Sequence, residues 1–395
     1  MNCKMVDVKK AKKLIIDNCN TAKVTLLTLS DVHGCILAET VIAAFDTPLF
    51  HQSAMDGYAF SFDSWNGENE LHVAGEIQAG TYSFDLLKPL EAVGIFTGAP
   101  LPAGADTVVM KEKVIVNDNT IAINDGQLTK GSNVRLKGSQ TKKGEIALNK
   151  GQLLTAPAIS FLAGIGIDKV RVFEKPLVRI IITGKELIKP GSTITPGKTF
   201  ESNSFGLVAA LNQLSISPVS VEFVDDVEEE IVQAITNSLD ADILILTGGV
   251  SVGDYDFAAN ALGKCSVEKI FHKVKQKPGK TFYFGRYHQT LVFALPGNPG
   301  AVLTCFYEYI APAISCFTRR EYLYKCKMPM AEDYKKKSGL TYFLKGKMNF
   351  DEVSVLPDQE SYLMSSFAIS DCLIKLDEER EYYRKGDMVE LIKIT

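Results

Sequence analysis

The chain has 395 residues, of which 46% are hydrophobic and 23% are charged, a composition typical of a soluble globular protein and not of a disordered one. Its formal net charge of -4 at pH 7 gives no electrostatic basis for binding nucleic acid. One hydrophobic core is not enough for a chain of this length, so we expect two to four domains.

The cysteines and the N-terminus predict a cellular compartment. The eight cysteines are far apart and include no Cys-x-x-Cys pair, which argues against a structural zinc site. Five lysines between residues 4 and 13 interrupt any apolar run there, so no signal peptide is predicted. No stretch approaches the roughly 18 apolar residues of a membrane span. We therefore expect a cytoplasmic protein with reduced thiols and no membrane association.

The N-terminal part predicts a helical domain that is interrupted by an insertion. Apolar residues at helical spacing predict a helix over Val6–Asn18, and Ser30 with Asp31 are candidate caps for a second helix. The helical pattern returns only at Ala156–Gly164. The predicted elongated N-terminal domain comprises residues 1–45 and 136–173.

The intervening residues 46–135 predict a small β-rich domain. Short apolar runs at Ala92–Thr97, Thr107–Met110 and Val114–Val116 alternate with Gly, Pro and Asn/Asp turns. We therefore expect this stretch to be an inserted domain.

Residues 174–320 predict an open α/β domain, because strand and helix patterns alternate along them at βα spacing. The predicted strands are Leu177–Ile182, Val219–Val224, Asp242–Leu246 and Thr290–Leu295, and the predicted helices are Ser204–Gln213 and Val227–Leu239. A further helix is expected to begin at Pro299, where a missing N–H costs nothing, and to kink at Pro312. Residues 321–395 have short alternating strands and predict a C-terminal β-barrel.

The segment SAMDGYA, residues 53–59, presents the carboxylate of Asp56 from a turn that begins just after Ser53. A carboxylate in a turn suits a metal ion or the counter-cation of an oxyanion. An ordinary hairpin between two strands can carry the same Asp-Gly dipeptide. The dipeptide alone favours that hairpin.

Ligands of open α/β sheets bind at the carboxyl ends of the strands, so the loop TGGVSVGD at residues 247–254 is a candidate site. Its glycines allow the backbone to close on an anion, and the following helix offers free N–H groups. Asp256, just beyond, can hold a divalent cation that bridges to phosphate. An ordinary Gly-rich turn remains the alternative. The candidate binding residues are Gly248, Gly249, Ser251 and Gly253.

Two further loops of the α/β domain are candidate ligand contacts. Lys273, Lys277 and Lys280 flank a Pro-Gly turn, and lysine suits an oxyanion as a compact point charge, although a solvated basic face fits equally well. The second loop fixes two φ angles with its prolines and leaves its asparagine to face a ligand. It consists of Pro296, Gly297, Asn298 and Pro299.

Carboxylates follow two other predicted strands. Glu186 comes shortly after the first, and Asp225 with Asp226 after the second. Repulsion among carboxylates at one site favours a bound cation, so Glu186, Asp225 and Asp256 are the candidate metal ligands. For Asp226 we prefer a role as favourable charge at a helix N-terminus.

Several strings of this chain resemble the molybdopterin molybdenumtransferase family, which includes bacterial MoeA and the E domains of gephyrin and of its plant counterpart. Besides SAMDGYA they are AGEIQAG at 74–80, IFTGAPLPAGADTVVMKE at 95–112, GSNVRLKGSQTKKG at 131–144, GGVSVGDYD at 248–256, KPGK at 277–280 and PGNP at 296–299. They occur in the family's order and at similar spacings. The resemblance therefore covers nearly the whole chain.

The resemblance implies a fold and an activity. The fold is an α/β and β multidomain one, in which an open α/β molybdopterin-binding domain similar to MogA joins an elongated N-terminal domain with an inserted β-rich domain and a C-terminal β-barrel. The activity is Mg²⁺-dependent insertion of molybdate into adenylylated molybdopterin, with release of AMP, which gives the molybdenum cofactor. A homodimer with its site between subunits and a molybdopterin adenylyltransferase as partner are also implied.

The resemblance also implies roles for individual residues. It makes Asp56, Glu186, Asp256, Lys273 and Lys277 the catalytic set. Ligand contacts are expected from Ser53, Thr97, Lys280 and the two loops 248–253 and 296–299. Thr97 would reach the ligand across a domain boundary.

Two positions depart from the family pattern. The family usually has an acidic residue where this chain has Gln140, and often an aspartate where it has Lys185. Both changes remove negative charge from the expected cleft, which would weaken the binding of a cation and favour the binding of an anion such as molybdate. Two alternatives therefore stay open: a catalytically impaired binding or scaffold protein that keeps the fold, as the gephyrin E domain keeps it while also anchoring receptors, and a tungstate-specialised transferase.

Overall fold

The structure is a computed structural model and describes residues 5–19, 22–81, 86–249 and 257–394. The chain divides into two compact units. The first consists of Met1–Thr25, Gly34–Ile36 and Val172–Thr395, and the second of Leu26–His33 and Leu37–Arg171.

The first helix, α1 (Val8–Asp17), forms as predicted. Its N-cap Asp7 accepts a hydrogen bond from the Lys10 N–H at 2.7 Å, which satisfies one of the free N–H groups of the first turn. A strand follows, β1 (Val24–Thr28). The second predicted helix is wrong: Thr28 Oγ1 donates to Asp31 Oδ2 at 2.6 Å and the Asp31 N–H to Thr28 O at 3.0 Å, so Asp31 closes a turn instead of capping a helix.

The second unit is β-rich and carries an α-helix near its end. Its elements in chain order are β2 (Val41–Ile42), β3 (Gln52–Ser53), β4 (Gly57–Phe60), β5 (Leu71–Ile77), β6 (Glu91–Ile95), β7 (Thr107–Met110), β8 (Val114–Asn117), β9 (Thr120–Ile123), β10 (Val134–Arg135), β11 (Ile146–Leu148) and α2 (Ala156–Gly164). Six of these strands form one sheet, in the order β7-β4-β6-β5-β9-β8, while β10 pairs with β3 and β11 with β2. Phe60, Leu71 and Val109 are buried against the sheet.

The first unit is built around an open α/β sheet. The strand β12 (Lys169–Phe173) begins in the second unit and ends in the first. The elements that follow it are β13 (Val178–Thr183), β14 (Leu187–Ile188), β15 (Thr199–Phe200), α3 (Asn203–Gln213), β16 (Ser220–Val224), α4 (Glu228–Ser238), β17 (Ile243–Thr247), α5 (Phe257–Lys264), β18 (Glu268–His272), β19 (Gln276–Lys277), β20 (Tyr283–Tyr287), β21 (Thr290–Leu295), α6 (Pro299–Cys305) and α7 (Ala311–Thr318). The sheet order is β16-β13-β17-β21-β20-β18. Its first four strands are parallel and the last two pair antiparallel.

The helices α6 and α7 are joined by a π-helical turn, Phe306–Ile310. This π turn ends two residues before Pro312, the residue at which we predicted a kink and whose ring would clash with the carbonyl four residues earlier in a regular α-helix. In the part of the chain that the structure describes, the run Pro299–Thr318 is the one helix long and apolar enough to cross a membrane. Most of it, 78%, is buried inside the protein, as in a core helix.

The C-terminal residues form a second, β-rich part of the first unit. Its elements are β22 (Lys325–Pro329), β23 (Tyr334–Lys335), β24 (Thr341–Met348), β25 (Val353–Val355), α8 (Met364–Ile369), β26 (Cys372–Leu376), β27 (Tyr382–Tyr383) and β28 (Met388–Lys393). The main sheet has the order β19-β24-β26-β28-β22, and β25 pairs with β24. The predicted fold class, an open α/β domain combined with β-rich parts, is confirmed.

Candidate active site

The ends of several strands meet at one edge of the α/β sheet. In its parallel part Thr183 pairs with Val224, Ile182 with Thr247, and Thr247 with Leu295. The antiparallel strand β20 lies between β21 and β18, so β18 runs in the same direction as β21 and also ends at this edge. The loops after β13, β16, β17, β18 and β21 therefore follow one carboxyl edge, where ligands of open α/β sheets bind.

The loop after β17 requires glycine. Gly248 and Gly249 have φ angles of 89° and 62°, which favour a residue without Cβ. A Cβ on Gly248 would also lie 2.3 Å from the carbonyl oxygen of Thr183. The N–H of Gly248 donates to Leu295 O at 3.3 Å, so this loop lies against the end of β21. The other candidates on it, Ser251, Gly253 and Asp256, lie outside the described residues.

Two threonine hydroxyls lie beside these glycines. Thr183 ends β13 and Thr247 ends β17, and both side chains are buried. Their Oγ1 atoms have no hydrogen-bond partner among residues 5–19, 22–81, 86–249 and 257–394. Buried polar atoms are nearly always paired, so these hydroxyls indicate a place for a polar ligand or an ordered water.

The Pro296–Pro299 loop is held from two sides. Asn203 Nδ2 donates to Gly297 O at 2.9 Å. On the other side Asn298 Nδ2 donates to Ser361 Oγ at 3.0 Å, and the Gly300 N–H donates to Ser361 O at 2.8 Å. A Cβ on Gly300 would lie 2.7 Å from that carbonyl oxygen, so the close approach needs glycine. The side chain of Asn298, which we expected to face a ligand, binds Ser361 in this conformation.

Sequence reasoning missed the residues that support this loop. Lys345 is buried in β24, and its ammonium donates to the carbonyls of Asp358, Glu360 and Leu363. These bonds hold the segment that carries Ser361. A lysine inside the apolar run of β24 was the one local signal, because buried lysines need partners.

The predicted carboxylates follow adjacent strands. Glu186 comes after β13 and Asp225 after β16, and both side chains are exposed. Asp226, which we assigned to the N-terminus of α4, accepts a hydrogen bond from the Lys185 N–H at 3.3 Å. That bond ties together the loops that carry the two candidate ligands. Within the described ranges no three His, Cys, Asp or Glu side chains are grouped to hold a metal ion.

The three lysines lie in and after the turn that follows β18. Lys273 is half-buried with a φ of 78°, and its backbone is fixed because its N–H donates to Phe282 O at 2.9 Å. Lys277 is exposed, and its ammonium lies 5.4 Å from the centre of the Tyr342 ring, a favourable cation–π contact. Lys280 is exposed.

In the second unit, Asp56 is fixed by Thr97. The backbone N–H and the hydroxyl of Thr97 both donate to Asp56 Oδ1, each at 2.8 Å. These two hydrogen bonds lower the pKa of Asp56 below its usual value, because they stabilise the carboxylate. Oδ1 is occupied, so Oδ2 is the oxygen that can meet a ligand.

The backbone of Ser53 connects the SAMDGYA motif at 53–59 with the motif at 95–112 that contains Thr97. It is buried, its N–H donates to Ala99 O at 3.0 Å, and its carbonyl accepts from the Gly98 N–H at 2.9 Å. Its hydroxyl donates to Met55 O. The Ser53 side chain therefore stabilises the turn that presents Asp56.

The structure thus assembles the predicted residues in two sets. Within the first unit it brings the loops carrying Glu186, Asp225, Gly248, Lys273 and Pro296 to one sheet edge. Within the second unit it brings Asp56 and Thr97 into direct contact.

Three family descriptions match the chain. The MoeA N-terminal region (domain I and II) matches residues 6–166, a probable molybdopterin binding domain matches residues 179–315, and the MoeA C-terminal region (domain IV) matches residues 327–394. The second of these covers the α/β sheet and its candidate loops.

Full-length relatives show the same similarity. The chain is 32% identical to a molybdopterin molybdenumtransferase of Staphylococcus epidermidis, over 98% of this chain and 95% of that protein, and equally to one of Staphylococcus aureus. A crystal structure of a molybdopterin biosynthesis MoeA protein from Pyrococcus horikoshii is 27% identical, with a TM-score of 0.83 over 99% of this chain and 100% of the other. The chain therefore belongs to the MoeA family of molybdopterin molybdenumtransferases, enzymes of molybdenum cofactor biosynthesis.

Proposed function

We propose that this enzyme inserts molybdate into adenylylated molybdopterin, with Mg²⁺-dependent release of AMP. The observation that carries the proposal is the sheet edge itself. There the glycine loop at 248–249, lysines and two threonine hydroxyls that have no partner among the described residues lie on neighbouring strand ends. Such an edge offers backbone and cationic groups to the phosphates and oxyanions that this reaction involves.

The lysines would stabilise negative charge. Cleavage of the adenylate places charge on phosphate oxygens, and preorganised cations meet that charge best. Lys273 has a fixed backbone and Lys277 is positioned by Tyr342, so both are suited to this role. Lys280 would add a third cation to the same turn. The Pro296–Pro299 loop would close the site beside them, supported by Ser361 and Asn203.

We propose that Asp56 contacts the substrate through Oδ2, since Oδ1 is bound by Thr97. Thr97 is exposed and would contribute its own ligand contact, whereas Ser53 would act by holding the turn. The proposed binding loop further includes Gly249, Ser251 and Gly253.

The residues present fit a Mg²⁺ ion that is shared with the substrate. Mg²⁺ in phosphoryl-transfer sites commonly takes one or two carboxylates and completes its shell with substrate phosphates and water. Glu186 and Asp225 follow adjacent strands and are exposed, so they would supply the carboxylates, together with Asp256. When bound, such an ion supplies charge neutralisation at phosphate oxygens.

We infer further properties from the same family relationship. The enzyme would work in the cytoplasm and receive adenylylated molybdopterin from a molybdopterin adenylyltransferase. The domains we propose are residues 1–45 with 136–173, 46–135, 174–320 and 321–395.

A homodimer is supported by an apolar groove on the first unit. The groove has a volume of about 580 Å³ and is lined by Phe205, Val208, Val221 and Phe223 among others. The Phe205 side chain is 61% exposed and that of Phe223 46%. Exposed apolar patches mark interaction sites in soluble proteins, and we propose a second copy of this chain as the occupant.

Phe205→Ser is therefore expected to weaken the dimer. Burying a phenylalanine side chain contributes about 1.5–3 kcal/mol, so the dimer Kd should rise roughly 10- to 100-fold. Sedimentation equilibrium of the wild type and the variant measures this Kd. The matched control is Phe350→Ser, because Phe350 is fully exposed in a turn of the C-terminal sheet. An unchanged Kd for Phe205→Ser would exclude this groove from the dimer interface.

The proposed reaction is tested by AMP release from adenylylated molybdopterin. We expect the purified enzyme to release AMP only when molybdate and Mg²⁺ are both present, and chelation by EDTA should abolish the release. Tungstate in place of molybdate measures the oxyanion preference. Release that does not depend on Mg²⁺ would contradict the proposed cation site.

The departures at Gln140 and Lys185 favour a second candidate, a protein that binds molybdopterin without turnover. Both side chains are exposed, and Lys185 lies between Thr183 and Glu186 at the sheet edge. The Gln140→Asp variant separates the two functions in the same assay. If the wild type is inactive and the variant releases AMP, the natural protein is a binding protein.

A further inference from the structure

Two cysteines that are far apart in sequence lie together in the first unit. Cys19 follows α1, and Cys316 lies near the end of α7. Each thiol donates to a carbonyl one turn earlier, Cys19 to Ile15 O at 3.4 Å and Cys316 to Pro312 O at 3.6 Å, and each thiol shifts the pKa of the other. Cys19 Sγ also lies 4.0 Å from the carbonyl oxygen of Ala313, one turn before Cys316 on the same helix. This contact places the sulfur of Cys19 on the face of α7 that carries Cys316.

A small oxidant can reach this pair. Both cysteines are half-buried, and Cys316 lines a cavity of about 590 Å³. Arg319, Arg320 and Lys325 line the same cavity against a single acidic residue, Glu321. The cavity is therefore open and positively charged, which favours a thiolate over a thiol.

The pKa of Cys316 is shifted in the opposite direction from those of the buried cysteines. The neighbouring Cys19 thiol and the nearby Arg319 guanidinium lower the pKa of Cys316. Burial instead raises the pKa of Cys372 to about 12 and also raises that of Cys305. Reactive cysteines combine thiolate character with access, and Cys316 has both.

We propose that Cys19 and Cys316 form a redox modification site in which a hydroperoxide converts the two neighbouring thiols into a disulfide. The thiolate of Cys316 attacks the peroxide oxygen, the O–O bond breaks, and Cys316 becomes a sulfenic acid while the rest of the peroxide leaves as water or an alcohol. The thiol of Cys19 then attacks the Cys316 sulfur, forms the S–S bond and releases water. Two thiols are oxidised and one peroxide is reduced, and a small-molecule thiol reverses the change.

The disulfide would connect two elements of the core that are far apart in the chain. It ties the residue after α1 to the end of the helical run that begins at Pro299, beside the candidate active-site loop. The proposal does not depend on the proposed catalytic reaction, because the pair is defined by its own contacts.

The test treats the reduced full-length protein with hydrogen peroxide, blocks the remaining thiols with N-ethylmaleimide and analyses tryptic peptides by mass spectrometry. Cys19 lies in peptide 14–23, and Cys316 shares peptide 287–319 with Cys305, so fragmentation identifies the linked cysteine. We expect a Cys19–Cys316 link that dithiothreitol removes. If both cysteines stay alkylated at peroxide doses that oxidise other thiols, or if the link joins Cys305, the proposal is overturned.

Variants assign the order of the two steps. Cys19→Ser should leave Cys316 as a sulfenic acid that dimedone traps, and Cys316→Ser should leave Cys19 unmodified. Cys326→Ser, which changes another half-buried cysteine, should retain the link. A measurement on the unaltered protein guards against misfolded variants: iodoacetamide should modify Cys316 severalfold faster than Cys326 or Cys265. Equal rates would remove Cys316 as the attacking thiol.

Discussion

Asp56→Asn is expected to lower the rate of molybdate-dependent AMP release about 100-fold or more while the protein stays folded. Asparagine keeps the shape of the side chain and an oxygen that can accept both hydrogen bonds from Thr97. Only the negative charge and the acceptor character of the second oxygen are lost. Removing one preorganised electrostatic contact to a transition state typically costs 100- to 1,000-fold in rate. Steady-state kinetics and the far-UV circular dichroism of both proteins provide the measurement.

Glu70→Gln is the matched control. Glu70 is an exposed carboxylate of the same unit, and it accepts hydrogen bonds from Asn117 and Thr120. Those bonds lower the pKa of Glu70 as the bonds from Thr97 lower that of Asp56. If the mere loss of a hydrogen-bonded surface carboxylate lowered turnover, both variants would lose turnover equally. If Asp56→Asn retains wild-type turnover, Asp56 serves only to shape its turn.

The pair of Asp56 and Thr97 shows what the sequence could predict and what it could not. Both residues were identified from their motifs, because the residue types and their order were distinctive. Their mutual hydrogen bonds join positions 41 residues apart and depend on β4 pairing with β6. No local pattern specifies that pairing, so the side chain that fixes Asp56 emerged only from the structure.

The strands of the α/β sheet were easier to predict than the residues that hold its Pro296–Pro299 loop in place. Strands such as Thr290–Leu295 are fully buried apolar runs between turns, and such runs are visible in a sequence. Lys345 and Ser361 act across long sequence distances, through carbonyl groups that any residue can provide. The wrong helix at Ser30 has a related cause, because residues that cap helices also close turns.

The SAMDGYA motif combines chemistry with packing. Asp56 supplies a carboxylate, but Gly57 is required for a different reason. Gly57 pairs with Ile95 of β6 on one side and Met110 of β7 on the other. A Cβ on Gly57 would lie 1.9 Å from the carbonyl oxygen of Val109 and 3.0 Å from the Cα of Met110. Both atoms belong to the backbone of a paired strand, so neither can move aside as a flexible side chain would.

Gly57→Ala is therefore expected to destabilise the second unit by about 3 kcal/mol, the upper end of the usual range for overpacking. For a unit of this size the loss corresponds to a fall in Tm of roughly 6–12 °C. Differential scanning calorimetry measures the transition of this unit within the whole protein. The separation of β4 from β7 would also displace Asp56. Turnover should therefore be lower than that of the wild type even at temperatures at which the variant is still folded.

Gly126→Ala controls for the general effect of replacing glycine. Gly126 belongs to the same unit, and a Cβ there would meet no atom within 4 Å among the described residues. Because alanine restricts the unfolded chain more than glycine does, this variant should be neutral or slightly stabilised. A Tm for Gly57→Ala within a degree or so of that for Gly126→Ala would mean that β7 can shift away from β4 without cost. In that case Gly57 would be needed for the backbone conformation that presents the carboxylate of Asp56, and not for the close packing of β4 against β7.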